Sequence, residues 1–135
     1  MRRPDKGAAT AETAVAMPVL MLLVLLVVQF GVWAHTVAVA RGVAAEALVE
    51  ARIEGGSAAL GRQRAEQVRA QIGQRLLADA EVSVTRYIDT ATVRISGAAP
   101  RIIPAPFLRF PVQVTVVGPV ERFRPPPAAG GRRGP

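Results

Sequence analysis

Covalent catalysis needs a nucleophile, a base to activate it and a group to orient the base, and the 135 residues offer few candidates. There is no cysteine, the one histidine is His35, the serines are Ser57, Ser83 and Ser96, and the sole lysine is Lys6. Disulfides, thiolate metal sites, a histidine-based zinc cluster and a lysine-bearing phosphate loop are therefore excluded. No catalytic residue, metal ligand, cofactor or small-molecule substrate is expected. The pattern that does stand out is Gly7-Ala8-Ala9-Thr10-Ala11-Glu12, with Arg2, Arg3 and Lys6 ahead of it and an apolar run directly behind. A carboxylate at the edge of hydrocarbon is costly unless it finds a partner, so Glu12 reads as a pairing group rather than a catalyst. By itself the spacing is weak, since an acid near a helix N-terminus also suits the macrodipole.

The element that must position Glu12 is the run that follows it. Between Glu12 and Arg41 no residue carries a formal charge, although the chain as a whole has 17 basic and 10 acidic side chains and a net charge of +7. As a helix those 28 uncharged residues would reach about 42 Å at roughly 1.5 Å per residue, more than the roughly 30 Å of a bilayer's hydrocarbon core. A chain of this size cannot surround a helix that is apolar on every face, so one membrane span is expected. Arg2, Arg3 and Lys6 crowd its short side, which places the N-terminus in the cytoplasm and the residues from Arg41 onward outside. Trp33 and His35 suit the far interface. Pro18, one turn into the apolar run, cannot donate to the carbonyl of Ala14 and should bend the helix or relax its first turns. Ala38-Val39-Ala40 also supplies an A-x-A site at which a secretory signal could be cut, so a classically secreted module, or an unprocessed membrane-anchored surface binding module, is the alternative reading.

The basic prefix, Gly7, Glu12 and the span together resemble the processing site of type IV prepilin-like proteins. Glu12-Thr13-Ala14-Val15-Ala16-Met17-Pro18, the leucine-rich run and Gln29-Phe30-Gly31 are similar to the TadE-like family, the pseudopilins of tight-adherence (Flp) pilus systems. The likeness covers residues 7 to about 52 and includes the alanine-rich stretch 44–52; residues 116–123 also look like the end of actinobacterial members. Thr13 stands where Flp major pilins usually carry an aromatic residue, and about 95 residues follow the membrane segment, so a minor or accessory subunit fits better than a major pilin. The resemblance implies cleavage between Gly7 and Ala8 by a prepilin peptidase at the cytoplasmic membrane face. Glycine would leave the cleft free of a side chain, and the basic residues would hold the site at anionic lipid. Cleavage would free an amine at Ala8, which Glu12 of a neighbouring helix could neutralise, setting register during assembly; Pro18 could ease extraction from lipid. Loss of residues 1–7 would lower the formal charge from +7 to +5, ignoring termini. The implied partners are the membrane, the prepilin peptidase, other pilus subunits and the inner assembly platform.

Beyond the span the helix should continue to about Ile53, where Gly55-Gly56 stops it. Ala40, Ala44, Ala47 and Ala51 form a small-residue face suited to close helix packing, within the subunit or between subunits. Ser57 is a natural N-cap for a second amphipathic helix over residues 58–78, with Leu60, Val68, Ile72 and Leu76 inward and Arg62, Arg64, Arg69 and Arg75 on a solvated face. Those arginines are dispersed among acids and aromatic residues are few, so direct nucleic-acid binding is not expected. Residues 82–88 and 91–96 alternate as a hairpin around Asp89-Thr90, and residues 112–117 form a third strand. The expected fold class is α+β and pilin-like: a long N-terminal transmembrane helix, an amphipathic second helix and a small antiparallel three-stranded sheet. The expected divisions are a leader over 1–7, the span and its extension over 8–54, the exported domain over 57–120 and a Pro/Gly-rich disordered tail over 121–135. Ile102, Ile103, Phe107, Leu108 and Phe110, set among Pro100, Pro104, Pro106 and Pro111, form an apolar cluster that regular elements do not consume. Phe107, Leu108 and Phe110 could face a partner or cap the open end of the core.

Overall fold

Alanine, valine and leucine carry the chain through one uninterrupted helix, α1 (Lys6–Arg52), in a computed structural model that describes residues 6–73 and 75–122. Most of the leader and the tail from residue 123 lie outside the described residues. At roughly 1.5 Å per residue α1 is about 70 Å long, and Pro18 is accommodated inside it without a break in the helix. It ends at Arg52; Gly55, three residues on, takes a φ of 78° that is open to glycine, and a Cβ on Gly56 would collide with the carbonyl oxygen of Glu50.

Ser57 caps the second helix, α2 (Ala58–Val68), by accepting from the amide of Leu60 at 3.1 Å. The helix is shorter than the expected 58–78, and its inward face differs. Gly61, Ala65 and Val68 are buried, whereas Leu60 is 45% exposed and Ile72 65% exposed. A π-helical turn (Arg69–Gly73) follows α2 and admits an extra residue per turn, which rotates Ile72 away from the face that Val68 occupies. Leu77, beyond the π turn, supplies the next buried side chain. Gly61 permits the close crossing of α1 and α2: a Cβ there would lie 2.8 Å from the Ala47 carbonyl oxygen and 2.9 Å from the Ala51 Cβ.

The strands are β1 (Glu81–Arg86), β2 (Thr90–Ala98) and β3 (Pro111–Pro119), in the antiparallel order β1-β2-β3. Register places Val82, Ile95 and Val114 in one cross-strand row and Val84, Val93 and Val116 in the next. These side chains share the face toward the helices, where Val84, Val93, Ile95, Val112 and Val114 are buried. Tyr87 and Ile88, expected within the first strand over 82–88, lie exposed in the turn after β1. The fold is therefore α+β: a long apolar helix, a second short helix and a three-stranded antiparallel sheet.

The core sits against only part of α1. Gln29, Thr36, Ala40, Val43, Ala44, Ala47, Leu48 and Ala51 are buried, recurring at the three- and four-residue steps of a helix face. The small-residue face of Ala40, Ala44, Ala47 and Ala51 thus packs within the subunit, against α2 and the sheet. Below Gln29 α1 stands almost bare.

Candidate functional site

The bare half of α1 carries the sequence-selected residues. The Gly7–Ala8 linkage lies within the first turn of the helix, which begins at Lys6. Glu12 follows one turn later, exposed, and enters no ion pair among the described residues. Pro18 sits a turn and a half beyond it. From Val15 to Val28 the described side chains are exposed apart from Leu25, which is partly covered. The apolar segment is continuous enough to cross a membrane, and almost none of it is covered by the rest of the chain.

Cover begins abruptly at Gln29. This side chain is fully buried, and both ends of its amide are used: Nε2 donates to the Pro100 carbonyl at 3.0 Å, and Oε1 accepts from the amides of Ile102 at 2.7 Å and Ile103 at 3.4 Å. A turn higher, Trp33 Nε1 donates to the Pro111 carbonyl at 2.9 Å, and its ring lies 5.4 Å from that of Phe30. Thr36 is also buried, its hydroxyl donating to the Val32 carbonyl at 2.8 Å. At the far end Arg52 pairs with Glu121 at 3.5 Å, and the Glu121 amide donates to the Arg52 carbonyl. β3 therefore runs alongside α1 in the same direction, and the 100–110 connection hangs at the lower end of the domain, against Gln29.

The expected partner-facing cluster is split by this arrangement. Phe107 is 84% exposed, Leu108 is half-buried, and Phe110 packs against the core while its carbonyl accepts from the Ala99 amide at 2.9 Å. Of the two roles open to the cluster, Phe110 takes that of a cap on the core. His35 is exposed, and Trp33 is half-buried against the domain.

Gln29, Arg69 and Arg86 are polar positions whose contacts no motif in the sequence marks. Arg69, placed on the solvated face, instead turns inward: Nη1 donates to the carbonyls of Leu77 at 3.1 Å and Ala80 at 3.2 Å, and Nη2 pairs with Glu66 at 2.7 Å. It closes the turn that follows the π helix. Arg86 donates to the carbonyls of Gly56 and Ile53, tying β1 to the end of α1. The signal for Gln29 was present, because one amide inside a long apolar run must find a partner or stay unsatisfied. Nothing in the sequence named that partner, 71 residues away. Among the described residues no three His, Cys, Asp or Glu side chains gather as a metal site.

A family model described as TadE-like protein matches residues 7–48. This is the segment that carries the resemblance read from the sequence, and the likeness to the TadE-like family is shown there. No curated protein and no solved structure matches the chain.

Proposed function

We propose that this chain, TadE-like over residues 7–48, is a non-enzymatic minor pilin or pseudopilin of a tight-adherence (Flp) pilus. In this reading α1 holds it in the cell membrane with the N-terminus cytoplasmic and the domain outside. A prepilin peptidase cuts between Gly7 and Ala8, and the subunit then takes part in assembling or initiating the pilus with other subunits and the inner platform. The observation that carries the reading is the Gly7 to Glu12 pattern set immediately before an apolar half-helix that the rest of the chain leaves uncovered.

Several physical features support it. Amides in the first turn of a helix have no intrahelical partner, so the turn holding Gly7 and Ala8 unwinds at little cost into the extended form a peptidase cleft accepts. The amine freed at Ala8 would stand about 6 Å below Glu12 along the axis, at roughly 1.5 Å per residue. A helix displaced along its neighbour by one turn brings the amine of one subunit to the carboxylate of the next. Neither charge is then left alone at the hydrocarbon edge.

A secretory cut after Ala40 fits the fold poorly. It would remove Gln29, Trp33, Thr36 and Ala40 from the face that packs on the domain, leaving the amides of Ile102 and Ile103 without their acceptor. Glu12→Ala tests the registry role: cleavage and membrane insertion should persist while pilus assembly is lost, as counted by electron microscopy of cells carrying the variant. Normal piliation would sink that role.

A further inference from the structure

The connection between β2 and β3 has no regular structure, yet Gln29 fastens its backbone to α1 at the point where the bare apolar surface begins. Its apolar tips point away from the core, with Phe107 84% exposed and Ile102 46% exposed. Arg101 and Arg109 flank them, both exposed and without an ion pair among the described residues. Beside these lies a cleft of about 350 Å³ that Arg75, Arg101 and Arg109 line, with Asp79 the single acid on its wall.

The length of α1 determines what this surface meets. Residues 13–28, uncharged and free of the domain, span about 24 Å at roughly 1.5 Å per residue, short of the roughly 30 Å of hydrocarbon. The shortfall of about 6 Å falls on the next turn, Gln29 to Val32, one side of which the 100–110 connection covers. That connection therefore lies at the depth where acyl chains give way to headgroups. Aromatic and aliphatic tips beside guanidinium groups suit that boundary, the tips entering about 5–10 Å and the charges staying with anionic headgroups.

We propose that the 100–110 connection is a membrane-interface anchor, in which Ile102 and Phe107 enter the outer boundary of the bilayer that α1 crosses and Arg75, Arg101 and Arg109 hold anionic lipid headgroups. The anchor fixes the domain's height and rotation on the membrane before any assembly. It rests on the membrane reading of α1 and needs neither cleavage nor a filament.

Because the chain has no cysteine, single substitutions give unique labelling sites in the full-length protein. Phe107→Cys, Leu20→Cys and Tyr87→Cys each carry an environment-sensitive fluorophore in vesicles of phosphatidylcholine with phosphatidylglycerol. Tyr87 marks the opposite end of the sheet, in the β1–β2 turn. The expected result is blue-shifted emission and strong quenching by lipid-borne quenchers at positions 107 and 20, and water-like emission without quenching at position 87. Quenching at 107 should rise with the share of phosphatidylglycerol, and Arg75→Gln, Arg101→Gln and Arg109→Gln together should abolish that rise.

Water-like emission at 107 with position 20 quenched overturns the anchor and leaves the span standing. Loss of quenching at 20 removes the span itself. Blue-shifted emission at 107 that lipid quenchers do not reach puts the loop against another protein chain and overturns the proposal. A rise with phosphatidylglycerol that survives the triple arginine substitution overturns the role of the arginines.

Discussion

The two halves of α1 are one continuous helix in two different surroundings. From Val15 to Val28 the residues are apolar on every side, mostly valine, methionine and leucine with no polar stripe, and all but the partly covered Leu25 stand exposed. Above Gln29 the inward positions shrink to alanine, the outward ones carry Arg41, Glu46 and Glu50, and the inward ones are buried against α2 and the sheet. Where the solvent is lipid, a helix can be apolar all round and needs no complementary partner. Where protein partners crowd it, side-chain size decides which face faces inward, and alanine lets Gly61 of α2 approach to van der Waals contact. The helix thus changes role at one residue, Gln29, the lowest point at which the domain holds it.

Substitutions on the two sides of that point should separate cleanly in denaturation of the detergent-solubilised chain. Ile95→Ala, removing a fully buried side chain at the centre of the sheet, should cost about 2–5 kcal/mol of domain stability. Gln29→Leu leaves the Ile102 and Ile103 amides and the Pro100 carbonyl without their partner and should cost about 1–3 kcal/mol. Its signature is faster hydrogen exchange confined to residues 100–110. Ser57→Ala, which removes the cap of α2, should cost about 1 kcal/mol. Leu22→Ala, in the bare half, should change domain stability by less than about 0.5 kcal/mol. A large destabilisation from Leu22→Ala would break the division of α1 into a free and a packed half.

How far the sequence revealed the fold follows the same division. Continuous apolar character is a local property, so residues 13–28 were legible from the run itself, and period-two alternation gave the three strands and their inward faces. The alanine positions were legible as a contact face, but whether Ala40, Ala44, Ala47 and Ala51 meet this chain or another depends on where α2 folds back. The inward face of the second helix was misread because the π turn breaks the four-residue period between Val68 and Ile72. Small residues also carry the contact there, and Gly61 and Ala65 give little hydrophobic signal beside Leu60.

Long-range polar contacts were the least legible. Gln29 to Pro100, Trp33 to Pro111 and Arg86 to Gly56 each join residues at least 30 positions apart. Of the candidate site, Gly7 and Glu12 were read from the basic prefix, their spacing and the likeness to prepilin-like proteins, and Pro18 from its place in the apolar run; none of the three depends on how the domain folds. The Phe107 cluster was visible as surplus apolar residues among prolines. Its division into a core cap at Phe110 and an exposed tip at Phe107 required the fold.

The most direct test of the pseudopilin reading is the intact mass and N-terminal sequence of the membrane-fraction protein, expressed with and without a cognate prepilin peptidase. The account predicts a chain that begins at Ala8 only when the peptidase is present, lighter by residues 1–7. A chain left uncut by an active peptidase, or one beginning at Arg41 in the soluble exported fraction, would contradict it.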